Sequence, residues 1–119
     1  MNKPNRNPGQ NPSPKRGEIY WVNLDPTVGS EIRKTRPCVV ISLAVINERR
    51  RTIVVVPLSS AGTPRPPLVI AIPSAGPGRT ARIDQIRSVD KARLAKPHGM
   101  LDHADLNTVE HALRTVLGL

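Results

Sequence analysis

Apolar and polar positions alternate along several short stretches of this chain, and a period of two residues is typical of β-strands. A first strand is predicted at residues 18–24, where neither face is strongly polar and both are expected to be partly covered, and β-branched runs predict a second at 37–42 and a third at 52–58. We expect these three strands to form one sheet. Shorter patterns bounded by glycine and proline predict further strands at 68–72 and 79–89.

The C-terminal segment has helical periodicity. Its apolar residues recur at a spacing of three or four, namely Leu106, Val109, Leu113, Val116 and Leu117. Asp102 predicts the N-cap, Asp105 predicts a capping box in the first turn, and Gly118 predicts the end of the helix. About five short strands followed by one amphipathic helix indicate a mainly β fold, a small and strongly curved antiparallel barrel or half-barrel.

The remaining segments predict connections and an arm. Residues 49–51 are predicted to be a charged hairpin connection, and residues 91–94 a helical turn. Residues 1–15 contain four prolines and, after the initiator methionine, no apolar residue. We therefore expect a disordered basic arm at 1–15 and a single domain at 16–119. The arm either adds nonspecific affinity for RNA or is a solvated tail.

Composition narrows the choice of partners. The chain of 119 residues has 18 Lys and Arg against 9 Asp and Glu, a formal net charge of +9, so nucleic acid, an anionic membrane surface or an acidic protein is the expected partner. No apolar run approaches the roughly 20 residues of a membrane span and no signal-peptide pattern is present, so we expect a cytoplasmic protein without a membrane partner. Cys38 is the only cysteine. Its place in an apolar run predicts a packed thiol and not a catalytic one.

Charge is concentrated directly before the second strand, at residues 31–36, which contain three cations and one carboxylate. Pro37 fixes its own φ and biases Arg36 towards an extended backbone, so the guanidinium is held on a stiff base. A rigidly held guanidinium suits phosphate recognition. The alternative is an ordinary solvated basic loop before a core strand.

Four motifs occur in a fixed order along the chain. They are RGEIYWV at residues 16–22, RPCVV at 36–40, VVVPLSS at 54–60 and DQIRSVDK at 84–91. Together with the terminal helix they closely resemble the MazF/PemK family of toxin endoribonucleases. The resemblance covers residues 16–119 and implies an SH3-like antiparallel barrel with a C-terminal helix.

The same resemblance implies the function and the partners. It implies a toxin of a type II toxin–antitoxin system that cleaves single-stranded mRNA with no metal or other cofactor. Attack by the RNA 2′-hydroxyl would leave 2′,3′-cyclic phosphate and 5′-hydroxyl ends. The implied protein partners are a cognate acidic, MazE-like antitoxin and a second copy of the chain.

Two catalytic positions follow from the resemblance. The family's catalytic arginine falls on Arg36, and its catalytic threonine falls on Ser59, which is a departure. Serine keeps the hydroxyl that can donate to a phosphate oxygen but loses the methyl group that restricts the rotamer. Because arginine stays protonated, we expect Arg36 to stabilise charge and to donate a proton to the leaving oxygen. The general base is then unassigned.

Further residues are candidates for supporting or substrate-binding roles, namely Glu31, Arg33, Lys34, Thr35, Ser60, Gln85 and Arg87. Glu31 either orients Arg36, accepts a proton or forms a loop salt bridge. Gln85 and Arg87 either contact the substrate or hold their strand, and Ser60 is an alternative to Ser59.

Two alternatives to this site are histidine chemistry and a function without catalysis. Catalytic or metal-binding histidines are disfavoured, because His98 lies in a predicted loop while His103 and His111 are eight residues apart on the predicted helix. Solvated or dimer-facing positions suit them better. The other function class is a non-catalytic toxin or nucleic-acid-binding barrel of the same fold, such as a gyrase poison. The presence of both Arg36 and Ser59 favours the enzyme.

Overall fold

A computed structural model describes residues 13–24 and 35–119 of the chain. Within these residues the chain forms seven strands, two α-helices and three 3₁₀ turns. The strands are β1 Glu18–Asn23, β2 Thr35–Val40, β3 Thr52–Ser59, β4 Val69–Ala71, β5 Thr80–Arg82, β6 Arg87–Asp90 and β7 Leu94–Met100. The helices are α1 Ala44–Arg49 and α2 His103–Leu117, and the 3₁₀ turns are Pro73–Ala75, Ile83–Gln85 and Lys91–Arg93.

All strand pairs are antiparallel, and the strands follow the order β4-β5-β3-β2-β1-β7, with β6 also paired to β3. The predicted sheet of the first three strands is therefore confirmed. The described strands form an open, barrel-like sheet, and one long helix follows it. This architecture confirms the predicted mainly β class.

The sheet is buried on both faces, and alternate residues of the same strand enter different cores. In β3, Val56 and Leu58 join a cluster that includes Val109 and Leu113 of α2. Ile53 and Val55 join a second cluster, which we call the barrel core and which also contains Tyr20, Val22, Leu24, Cys38, Val40 and Val89. Burial on both faces explains why these strands read as nearly continuous apolar runs instead of alternating ones.

The predicted long strand at residues 79–89 is wrong, because the chain forms two strands there. β5 pairs with the end of β3 and β6 pairs with its beginning, and the turn Ile83–Gln85 separates them. The two ladders leave Val56 and Pro57 of β3 unpaired with either strand. Pro57 has no N–H group to donate, so a continuous ladder would lose a hydrogen bond at this position.

Two elements were not predicted. Residues 49–51 are not a hairpin connection, because the helix α1 runs to Arg49 and β3 begins at Thr52. His98 is not in a loop, because it belongs to β7, which pairs with β1 through Leu94, Pro97 and Met100. The helical turn predicted near residue 91 is confirmed as Lys91–Arg93.

Helix α2 has the predicted ends but a different first turn. Asp102 caps it by accepting from the N–H of Asp105 at 2.8 Å, and Gly118 ends it at φ 72°. The reciprocal half of the capping box is absent, because the Asp105 carboxylate accepts from the N–H of Ser74 at 2.7 Å. The Ser74 hydroxyl in turn accepts from the N–H of Asp102 at 3.1 Å. No described helix is long and apolar enough to cross a membrane.

The fully buried side chain of Asn47 joins α1 to two other segments. Its amide nitrogen donates to the carbonyl oxygen of Pro14 at 2.8 Å and to that of Ser42 at 3.0 Å. Its amide oxygen accepts from the Ser42 hydroxyl at 2.5 Å, and its backbone carbonyl accepts from Nζ of Lys91 at 2.7 Å. Pro14, which belongs to the predicted arm at residues 1–15, is therefore bound to the folded domain. Residues 1–12 of the predicted arm lie outside the described residues.

Candidate active site

The two predicted catalytic residues lie near the start of β2 and at the end of β3, which are adjacent strands. The register pairs Cys38 with Pro57 and Val39 with Val56. Continuing it by two residues aligns Arg36 with Ser59. Side chains directly opposite each other in an antiparallel pair have Cβ atoms about 5 Å apart. On this continuation the two side chains would lie on the same face at the end of the sheet.

Arg36 and Arg87 lie on the face of the sheet that covers the barrel core. Arg36 alternates with Cys38 and Val40, and Arg87 is paired with Val55, all of which belong to that core. Both cations affect the pKa of the Cys38 thiol. Burial raises this pKa to about 12, while the charges of Arg87 and Arg36 act to lower it. Two cations on the same face of the sheet are thus close enough to the buried thiol to affect its pKa. Neighbouring cations suit the phosphate of a nucleic acid.

The buried thiol itself is not a nucleophile at neutral pH. Cys38 is fully buried, and its Sγ donates weakly to the carbonyl oxygen of Arg36 at 3.7 Å. With a pKa near 12 the thiolate is scarcely populated. The prediction that Cys38 packs is confirmed.

Ser59 is 7% exposed, and its hydroxyl is engaged with the backbone two residues later. Oγ donates to the carbonyl oxygen of Ala61 at 2.8 Å and accepts from its N–H at 3.2 Å. These two bonds fix a rotamer that the missing methyl group of threonine would otherwise restrict. The Ser59 hydroxyl has one proton. It can therefore donate a hydrogen bond to a phosphate oxygen only if its bond to the Ala61 carbonyl is broken.

The other predicted residues are spread around this end of the sheet. Thr35 is exposed as the first residue of β2, and Ser60 is exposed directly after β3. Gln85 is half-buried in the turn between β5 and β6. Glu31, Arg33 and Lys34 lie outside the described residues.

Sequence reasoning missed Thr80, which is paired with Ser59 across β3 and β5 and with Ala71 of β4 on the other side. Thr80 is 2% exposed, and its Oγ1 has no hydrogen-bond partner among residues 13–24 and 35–119. A cleft of about 180 Å³ adjoins it, lined by Gly62, Pro64, Ala71, Pro73, Gly78 and Arg79. No local signal identifies Thr80, because only the register of β3 on β5 places it beside Ser59.

The histidines do not form a cluster. His98 is exposed and lies against Trp21, with ring centroids 5.0 Å apart and planes tilted by 56°, and His103 and His111 are exposed on α2. Among residues 13–24 and 35–119, no three His, Cys, Asp or Glu side chains are placed to hold a metal ion.

Comparison with known proteins agrees with this geometry. The family model of the PemK-like, MazF-like toxin of type II toxin–antitoxin systems matches residues 15–117. Endoribonuclease PemK from Escherichia coli is 39% identical over 108 residues, which cover 87% of this chain and 81% of that protein. The resemblance carried by the four sequence motifs is confirmed.

Solved structures show the same fold. The crystal structure of MazF from Deinococcus radiodurans matches with a TM-score of 0.81 and 27% identity, over 90% of this chain and 98% of that one. An endoribonuclease from a mycobacterial species, solved in complex with its cognate antitoxin, matches with a TM-score of 0.73 and 25% identity. That match covers 89% of this chain and 96% of the other.

Proposed function

This chain belongs to the PemK-like, MazF-like toxins of type II toxin–antitoxin systems and is an endoribonuclease, and we propose that it cuts single-stranded mRNA where Arg36 and Ser59 meet. The register of β2 on β3 supports the proposal, since its continuation beyond the pair Cys38 and Pro57 would align a cation, Arg36, with a hydroxyl, Ser59, at the end of the sheet. The non-catalytic alternatives of the same fold have no comparable support.

The proposed reaction uses the substrate's own nucleophile. The RNA 2′-hydroxyl attacks the adjacent phosphorus, the bond from phosphorus to the 5′-oxygen breaks, and the products carry 2′,3′-cyclic phosphate and 5′-hydroxyl ends. A base takes the proton of the 2′-hydroxyl, and an acid gives one to the leaving oxygen. The protein has to orient the reacting groups and stabilise a phosphorane with additional negative charge.

Each residue of the site has a role in this reaction. Arg36 binds the nonbridging oxygens and donates a proton to the leaving 5′-oxygen, and Ser59 donates a hydrogen bond to a phosphate oxygen. Arg87 supplies a second cation on the same face. The cations Arg33 and Lys34 add affinity for the backbone, and the polar groups of Glu31, Thr35, Ser60 and Gln85 are supporting or substrate-binding groups.

Cleavage of a mixed-sequence RNA in EDTA tests the chemistry. We expect 5′-hydroxyl and 2′,3′-cyclic phosphate ends, and cleavage that appears only when metal is added would reject the metal-independent reaction. Arg36→Ala should abolish cleavage while RNA affinity stays within about tenfold. The matched control is Arg50→Ala, which removes the same charge from an exposed position at the end of α1. Equal rates for the two variants would contradict the role of Arg36.

The proposed inhibitor is an acidic antitoxin. Its support is the net charge of +9 and the solved complex of a similar endoribonuclease with its cognate antitoxin. Carboxylates of an extended segment would occupy the positions that substrate phosphates otherwise take, so inhibition would be competitive. Co-expression with the neighbouring open reading frame should restore growth and yield a complex, and failure of both would reject this partner.

Toxin and mRNA would meet in the cytoplasm.

The proposed assembly is a homodimer. Apolar side chains are exposed after β2 and at the C-terminus, namely Leu43, Val45, Ile46, Leu117 and Leu119. Leu117 and Leu119 line a groove of about 280 Å³ together with Ile41 and Ile86. Pairing of this surface across a two-fold axis would bury it. Sedimentation at micromolar concentration should give twice the chain mass of 13.0 kDa, and a monomer throughout would reject the dimer.

A further inference from the structure

Ser59 and Thr80 are two hydroxyl side chains opposite each other on β3 and β5, and their hydrogen bonding differs. The Ser59 hydroxyl is bonded to both polar groups of the Ala61 backbone. The Thr80 hydroxyl is buried and has no partner in the part of the chain that the structure describes. A buried polar group without a partner destabilises a fold, and native structures contain few of them. An orphan of this kind beside the proposed catalytic residue Ser59 suits a role in function.

Both hydroxyls can reach each other by side-chain rotation alone. Opposite residues of an antiparallel pair have Cβ atoms about 5 Å apart, and each hydroxyl oxygen extends from its Cβ by one bond. Rotation about χ1 exchanges staggered positions without moving the backbone. The cleft that adjoins Thr80 leaves room on one side for its side chain to turn.

We propose that Thr80 is a positioning residue that directs the proton of Ser59 towards the substrate phosphate. In the substrate complex the Thr80 hydroxyl donates to Oγ of Ser59, and the N–H of Ala61 continues to donate to the same oxygen. When the proton of Oγ has turned from the Ala61 carbonyl to the phosphate, both lone pairs of Oγ accept hydrogen bonds, which stabilises this orientation of the hydroxyl. The bond to the Ala61 carbonyl is replaced by a bond to a phosphate oxygen. The inference rests on the proposed role of Ser59.

A packing role for Thr80 predicts the opposite behaviour on substitution. Valine has nearly the shape of threonine and lacks the orphan hydroxyl, so at a site that only packs it would serve the fold better. A hydroxyl that lowers the stability of the fold is therefore better explained by a role in function than by packing.

The experiment compares Thr80→Val with Thr80→Ser in the full chain. Cleavage of an oligoribonucleotide around a mapped cut site gives kcat and KM, and urea unfolding gives stability. We expect Thr80→Val to lower kcat about tenfold at unchanged KM while raising the urea midpoint. Thr80→Ser should keep kcat within about threefold of the wild type, because it keeps the hydroxyl.

An unchanged kcat in Thr80→Val would overturn the inference, as would an equal loss of kcat in both variants. Ser59→Ala separates this failure from that of the proposed site. If Ser59→Ala cuts as fast as the wild type, the roles of both residues are rejected. If Ser59→Ala is slow and Thr80→Val is normal, only the role of Thr80 is rejected. The double variant should be no slower than Ser59→Ala, because Thr80 acts through Ser59.

Discussion

The carboxylate of Asp105 in α2 accepts a hydrogen bond from the backbone N–H of Ser74 at 2.7 Å, across 31 residues of chain. This bond ties the first turn of the helix to the turn that leads into β5. Asp105→Ala would leave the Ser74 N–H without its partner, and we expect a loss of about 1–3 kcal/mol in the free energy of unfolding. Urea unfolding measures it. Asp84→Ala, at an exposed acid, is the control and should have almost no effect.

Asn47 should be the most sensitive polar residue of α1. Asn47→Ala removes one hydrogen bond to Pro14 and two to Ser42, and we expect a loss of at least about 2 kcal/mol in unfolding free energy. Limited proteolysis should also cut before residue 18 more readily in this variant. Glu48→Ala, on the exposed side of the same helix, controls for helix propensity. If Asn47→Ala is as stable as this control, the hydrogen bonds of Asn47 do not stabilise the fold as expected.

The buried Cys38 thiol makes stability depend on alkaline pH. Its pKa rises from 9.0 to about 12 on folding. Between these values the unfolded thiol has lost its proton and the folded one has not, so the unfolding free energy falls as pH rises, by about 1.4 kcal/mol per unit. Cys38→Ala lacks this contribution. The stability gap between wild type and Cys38→Ala should therefore narrow from pH 9 to pH 10.5 in urea titrations, and a constant gap would contradict the burial effect.

Arg87 should contribute to RNA affinity through charge. Arg87→Ala removes a cation near the proposed phosphate position, so the dependence of log affinity on log salt should become shallower by about 0.7. Binding is measured in the Arg36→Ala background, where cleavage does not interfere. An unchanged slope would place Arg87 outside the RNA contact. Arg51→Ala, at an exposed position before β3, serves as the charge-matched control.

The ion pair between Arg16 and Glu110 joins the start of β1 to α2. Arg16 also donates to the carbonyl oxygen of Ile41 at 2.9 Å, so Glu110→Gln isolates the ion pair better than Arg16→Ala does. Both side chains are nearly one-third exposed. A double-mutant cycle should therefore give a coupling of only about 0.5–1 kcal/mol, decreasing with added salt. A coupling energy above about 2 kcal/mol would contradict this expectation, because it would require an ion pair less exposed to solvent than the one in the structure.

Elements with buried apolar faces were predictable, and elements held by backbone pairing were not. β1, β2, β3 and α2 have the apolar spacing that burial imposes. β7 exposes nearly every side chain and is held by its hydrogen bonds to β1, so its composition resembles a loop. α1 has only six residues and buries a single asparagine side chain. Neither element has an apolar period to detect.

The candidate site was predictable only through residues with a recognisable pattern. Arg36 is marked by Pro37 and by the resemblance, and Ser59 by the resemblance alone. Thr80 reaches Ser59 through a register that changes by three residues between β6 and β5. No local pattern encodes that change. β3 changes its partner from β6 to β5 near Pro57, and this explains the change of register only after the partner strands are known.

Because β3 buries alternate side chains in two different cores, insertions and deletions within it have no neutral position. Adding one residue near Val54 would exchange the faces of every side chain on one side of the insertion. Val55 would then point towards α2, and Val56 would point into the barrel. In a random library of single-codon insertions and deletions, functional clones should therefore be depleted throughout β3. The same lesions should be tolerated in the exposed segment between β3 and β4, where no residue has to face a particular core.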